Sequence, residues 1–132
     1  LVRSRGLGDV YKRQEDNCVI HSGTPTLPCI GDVTIGDFVL FGHGAISNGR
    51  KIGNYVMVSM GATILHDAEI GDYSIIAAGC VVTEKMKVPE KSFVVGVPAE
   101  IKGEISPEQL WWSQNSPRIY QEWALQYKKE GL

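Results

Sequence analysis

The side chains best suited to chemistry in this sequence are three histidines, two adjacent carboxylates and one asparagine. His21 stands in NCVIHSG, His43 in FGHGA and His66 in ILHDAE, and Glu15 and Asp16 lie just ahead of His21. A neutral imidazole can give an electron pair to a metal ion, or take a proton from a substrate near neutral pH. His66 belongs to HDAEIGD, which reads as ordinary solvated corner sequence and is set apart from the other two. Asn48 joins the group because of where the repeat pattern puts it.

That pattern has a period of six. From 33 to 83 the aliphatic positions Ile35, Phe41 and then, after Ser47 and a one-residue contraction, Ile52, Val58, Ile64, Ile70, Ile76 and Val82 recur in register. Two places before most of them stands a small or apolar residue, as at Val39, Ala45, Val56, Ala62, Ala68, Ser74 and Cys80. Gly and then Asp or Asn follow several of them. Six is not a multiple of 3.6, so no helix can keep these residues on one face. Hairpin strands would need more length between turns. The physical solution is an all-β solenoid in which each hexapeptide forms one short strand and one corner. Aliphatic side chains then stack inward, and Gly, Asp and Asn take the corner conformations. His21 follows Ile20 as Asn48 follows Ser47. Their separation equals one 18-residue coil plus a nine-residue insertion around Pro25 and Pro28, so the two are expected on one face of adjacent coils. His43 lies one step further round a corner and projects differently.

Charge and composition narrow the function classes. The formal net charge is −2, and the first fourteen residues hold four of the 13 basic groups and one of the 15 acids. The remainder is acidic and offers no footprint for nucleic acid. No apolar run approaches the roughly 20 residues of a membrane span. Three cysteines (Cys18, Cys29, Cys80) form no paired framework, which suits reduced thiols and a cytoplasmic setting.

Three segments follow. Residues 1–14 lack the style of the rest and resemble an adapter-derived, non-native translation in place of genuine N-terminal sequence. Residues 15–103 form the solenoid, with N-terminal coils expected to be missing. Within it 85–89 reads as a loop and 92–103 as a last strand with a turn at Val97-Pro98. Residues 104–132 form a C-terminal helical segment that covers the solenoid. Ser106 is its N-cap, Pro107 its first residue and Gln109 the capping-box partner. Ser116-Pro117 is expected to kink or restart this helix, and Trp111, Trp112 and Trp123 are expected to pack.

The stretches from Asp16 to His21, IGDFVLFGHGAISNGRKIGN, MGATILHDAEIGDYSIIAAGCVV and VVGVPAEI closely resemble the gamma-class carbonic anhydrases. The resemblance implies a left-handed parallel β-helix of hexapeptide repeats that assembles as a homotrimer. It implies zinc, or iron, at each subunit interface, held by two histidines of one subunit and one of its neighbour. Metal-bound hydroxide would hydrate carbon dioxide to bicarbonate. The first family histidine matches His21 and the second His43, while the third position holds Asn48. Asp16 matches the Asp of a family Gln-Asp pair, and Glu15 stands at the Gln; these two are the catalytic candidates that the resemblance implies. Because an amide is a poorer zinc donor than imidazole, the resemblance implies a weakened or lost metal site. Two alternatives stay open. One is a hexapeptide-repeat acyltransferase using acyl-CoA, with His43 as general base. The other is a non-catalytic assembly subunit.

Overall fold

The computed structural model describes residues 2–3, 12–22 and 32–131. Short strands succeed one another round a triangular solenoid. The first turn holds β1 (Val2–Arg3), β2 (Arg13–Gln14) and β3 (Val19–Ile20). Three continuous coils follow. They are β4 (Val33–Ile35), β5 (Leu40–Phe41) and β6 (Ile46–Ser47), then β7 (Lys51–Ile52), β8 (Met57–Val58) and β9 (Thr63–Ile64), then β10 (Glu69–Ile70), β11 (Ile75–Ile76) and β12 (Val81–Val82). After them come β13 (Lys87–Val88), β14 (Ser92–Val95), β15 (Glu100–Glu104) and α1 (Pro107–Glu130). Strands one coil apart pair in parallel and build three faces. Face A is β1-β4-β7-β10-β13, face B is β2-β5-β8-β11-β14 with β15 added antiparallel to β14, and face C is β3-β6-β9-β12. The fold is the parallel β-solenoid expected from the repeats, a left-handed β-helix as the family resemblance implies.

The register explains the six-residue rule. Ile35, Ile52, Ile70 and Val88 are partners up face A, Phe41, Val58, Ile76 and Val94 up face B, and Ile20, Ser47, Ile64 and Val82 up face C. Ile52, Ile64, Ile70, Ile76, Val58 and Val82 are fully buried, as are Val39, Ala45, Val56, Ala62, Ala68 and Cys80 in the second series. Cys80 behaves as a small core residue, and burial pushes its thiol pKa up.

Corners are held in two ways. Between faces A and B, Phe38, Tyr55 and Tyr73 take left-handed backbone angles, with φ of 56°, 54° and 59°. Side chains other than glycine rarely adopt this region. Their rings stack coil on coil at 4.8 and 5.0 Å between centroids. Beside them the Asn54 side-chain oxygen accepts from the Asp37 amide at 2.8 Å, and Asp72 Oδ1 accepts from the Asn54 amide at 2.9 Å. The contraction noted in the sequence falls at 48–50, between faces C and A. There Gly49 is buried, and a Cβ on it would come within 3.0 Å of Ile64 Cγ2. Ser47, the small member of an aliphatic ladder, leaves room for this tucked corner, and its Oγ accepts from the Gly49 amide at 3.3 Å.

Strand pairing starts ahead of residue 15, since Arg13 and Gln14 pair with Leu40 and Phe41. Four expectations need correction. The segment read as a loop at 85–89 contains β13, whose Val88 continues the face A ladder. The single strand read at 92–103 is a hairpin of β14 and β15 turning through a cis Val97-Pro98 bond. Helix α1 runs unbroken through Pro117; Ser113, Ser116 and Pro117 are its buried residues. These small side chains seat it closely on the solenoid, and docking stabilises a helix that proline would weaken in isolation. The expected cap is present: Ser106 Oγ accepts from the Gln109 amide, and Gln109 Oε1 accepts from the Ser106 amide. The tryptophans are not core packing residues, because Trp111, Trp112 and Trp123 are 52%, 45% and 51% exposed. The expected insertion around Pro25 and Pro28, with Cys29, lies outside the described residues.

Ile70 occupies the middle of the face A ladder and is 1% exposed. Ile70→Ala should lower stability by roughly 2–5 kcal/mol, and Ile70→Asp should cost more because no partner or water reaches the axis. Denaturant unfolding of the two variants checks both the magnitude and the order.

Candidate functional site

Parallel stacking converts sequence spacing into columns of side chains at each corner. Between faces B and C, Phe41 lies over Gln14 and Val58 over Phe41, so the residues that follow them stack as Glu15, Gly42 and Ser59, then as Asp16, His43 and Met60. The chain therefore brings Glu15, Asp16 and His43 together although 27 residues separate Asp16 from His43 in sequence. His43 Nε2 lies 3.7 Å from Glu15 Oε2, and His43 Nδ1 lies 3.9 Å from Asp16 Oδ2. The other Glu15 oxygen is engaged by Arg13 Nε, and the Arg13 guanidinium lies 3.2 Å from the centre of the Tyr120 ring on α1. The His43 side chain is 55% exposed and Asp16 is almost fully so, whereas Glu15 is largely covered. Cys18 closes the corner by donating its thiol to the Gly42 carbonyl at 3.0 Å.

His21 and Asn48 sit elsewhere, just past face C. Ile20 pairs with Ser47, and the His21 amide donates to the Ser47 carbonyl at 2.9 Å, so His21 and Asn48 occupy equivalent places on neighbouring coils. His21 is exposed and Asn48 half-buried. Between this pair and His43 stands β6, one strand and a corner away. No group of three histidine, cysteine, aspartate or glutamate side chains is placed to hold a metal among the described residues of one chain. The sequence candidates thus form two sets, with Glu15, Asp16 and His43 at one corner and His21 and Asn48 at another. His66 is exposed at a corner where Asp67 has a φ of 58°, in line with its reading as solvated turn sequence.

Alongside the first set runs a groove of about 330 Å³ between face B and α1. Gly42 is part of its lining and packs closely on the next coil, where a Cβ would lie 2.7 Å from the Met60 amide nitrogen. Leu40, Met57 and Met60 form one wall, Trp112, Ser116 and Tyr120 the other, and His43 and Glu15 stand at its edge. Sequence reasoning missed this groove. Its signal lay in the outward positions of face B and in the exposed turns of α1, both of which read as surface until the helix is docked.

Comparison with known proteins agrees with the architecture. The family described as "Bacterial transferase hexapeptide (six repeats)" matches residues 51–84. The hexapeptide transferase family protein of Anaplasma phagocytophilum is 18% identical and superposes with a TM-score of 0.53 over 89% of this chain and 93% of that one. The UDP-N-acetylglucosamine O-acyltransferase of Moraxella catarrhalis is 19% identical, with a TM-score of 0.60 over 71% of this chain and 42% of that one. At such identities the likeness shows the fold, and it defines the chain as a hexapeptide-repeat β-helix. Among curated proteins, the carnitine operon protein CaiE of Escherichia coli (strain K12) is 31% identical over 108 residues, 82% of this chain and 53% of that protein. The probable carbonic anhydrase of Methanocaldococcus jannaschii is 38% identical over 102 residues, 76% of this chain and 60% of that protein. The chain is a gamma-carbonic-anhydrase-like member of the hexapeptide-repeat proteins, and it spans only a little over half the length of these curated relatives.

Gly42→Ala should destabilise the fold by about 1–3 kcal/mol, because the coil above cannot retreat from the added methyl without breaking its ladder. Thermal unfolding of this variant, compared with Gly44→Ala at the open neighbouring position, checks the packing account; the second change suffers only from its left-handed backbone.

Proposed function

We propose that this chain is a gamma-carbonic-anhydrase-like subunit whose interfacial metal centre is weakened or lost, with Asn48 standing in the place of the third histidine. The observation that carries this reading is the pairing of Ile20 with Ser47, which sets His21 beside Asn48 on adjacent coils. The competing explanation, that Asn48 is there to cap its own corner, finds no support. The side-chain bond at that corner is made by Ser47 Oγ, and the Asn48 side chain makes none among the described residues. His43 lies at a different corner, so it can complete such a site only in a neighbouring subunit. A homotrimer supplies that arrangement. Val19 and Ile46, 50% and 39% exposed on face C beside His21 and Asn48, give the association an apolar surface to bury.

The donor set does not fit a hydrolytic zinc centre. Two imidazoles drawn from two subunits and one neutral amide oxygen hold zinc, or iron, more weakly than three imidazoles. They also acidify a bound water less. Carbon dioxide and bicarbonate are therefore poor substrates of this chain as it stands, and Glu15 and Asp16 remain beside His43 as the outline of a proton-handling group. A cytoplasmic setting suits the unpaired thiols of Cys18 and Cys80. No helix among the described residues is long and apolar enough to cross a membrane. The second reading, an acyl-CoA-dependent acyltransferase with His43 as base, is favoured by the two carboxylates within 3.7 and 3.9 Å of its ring, which would stabilise the imidazolium. A non-catalytic assembly subunit shares the first reading's trimer and differs only in having no residual metal affinity.

Asn48→His tests the assignment. It should retain zinc through dialysis that strips the parent protein, and carbon dioxide hydration should rise with it. His21→Ala in the same background should abolish both gains. Metal content that is unchanged by Asn48→His overturns the site. Light scattering should give three times the chain mass, and a monomer at micromolar concentration counts against the interface.

A further inference from the structure

We propose that the groove between face B and α1 is a binding site for a small organic cation, a primary ammonium head on a short apolar body, independent of any metal. The argument begins with size. At about 330 Å³ the groove lies in the range of small-molecule sites and has far more room than a triatomic gas needs. Its walls are chemically divided. Leu40, Met57 and Met60 on the solenoid and Trp112 on the helix make an apolar body site, whereas the polar groups gather at one end.

Charge selects the head group. The charged or basic side chains lining that end are Arg13, Glu15 and His43, and Asp16 stands outside the groove, 3.9 Å from His43 Nδ1. Arg13 is already engaged, with its Nε on one Glu15 oxygen and its plane on the Tyr120 ring. Glu15 Oε2 faces His43 at 3.7 Å, too long for a direct hydrogen bond, and so keeps capacity to accept from a ligand. With His43 neutral, Glu15 and Arg13 balance within the groove, and Asp16, outside it beside His43 Nδ1, makes the surroundings of that end negative. An ammonium would donate to Glu15 Oε2 and to the imidazole, and the ring of Trp112 favours a cation over an anion. A carboxylate in the same place would face Glu15 across a few ångströms. Gly42 offers only backbone to this part of the groove.

Calorimetric titration with benzylamine, benzyl alcohol and benzoate, in the presence of a chelator, tests the assignment without reference to the metal reading. Benzylammonium should bind in the millimolar range or tighter, benzyl alcohol about tenfold more weakly as its head loses the charge-assisted bond, and benzoate weakest of all. Glu15→Gln should erase the preference for ammonium over alcohol while leaving the alcohol's affinity unchanged. Trp112→Ala should weaken both. Should Glu15→Gln fail to fold, the ranking of the three probes on the parent protein decides alone. Equal or tighter binding of benzoate, or no binding of benzylammonium at millimolar concentration, overturns the proposal. So does a Glu15→Gln protein that keeps the ammonium preference.

Discussion

Each strand of this protein hydrogen-bonds to its own equivalent one coil away, and the rest of the structure answers to that constraint. The Gly36 amide donates to Ile52, Gly53 to Ile70 and Gly71 to Val88, so a residue's neighbours are fixed by adding one coil length to its number. Inward side chains must then tolerate themselves as stacking partners. Aliphatic residues do so well, which fills the axis with Ile and Val. The corners must turn within four residues, which forces left-handed backbone at Phe38, Tyr55 and Tyr73. Such angles cost on the order of 1–3 kcal/mol each, offset here by ring stacking and by the Asn54 and Asp72 side-chain bonds to corner amides.

The same constraint builds the site. Side chains that point into the axis have no chemical freedom. Corners are where polar groups of successive coils meet without being buried. Glu15, Asp16 and His43 converge at one corner because the coil repeat stacks them, and His21 and Asn48 are matched at another for the same reason. Helix α1 adds what a solenoid alone lacks, a second wall. It lies close because its inner residues are Ser113, Ser116 and Pro117, and its aromatic residues are left to line the groove or face solvent.

Much of this was legible in the sequence. The ladder positions, the contraction after Ser47 and the matching of His21 with Asn48 all follow from counting by six. Less legible were features that depend on how separate elements meet. Val88 continues a ladder, yet Lys85 to Pro89 carries no small residue or Gly-Asp step to announce it. Pro117 reads as a helix breaker because its local cost is visible in sequence and its docking surface is not. Trp111, Trp112 and Trp123 read as packing residues by type, while the helix seats itself through Ser113, Ser116 and Pro117 and leaves about half of each indole exposed. The groove at Gly42 was hidden for a related reason, since a glycine in a repeat looks like a turn residue before the coil above it is known.

The corner between faces C and A differs from the other two in one respect. Four residues join face A to face B in each continuous coil, and four join face B to face C. From face C to face A the links are 21–32, 48–50, 65–68 and 83–86. Within the three continuous coils, β4 to β12, the length variation is gathered along this one edge, and the ladders on either side keep their register regardless. An edge of that kind acts as a seam along which polypeptide can be let out or taken in. Grafted peptides, epitopes or small domains placed in 65–68 or 83–86 would leave the axis untouched. New recognition loops in a lineage of such proteins would accumulate on that seam, next to His21 and Asn48, and so alter what reaches the site without altering what builds it.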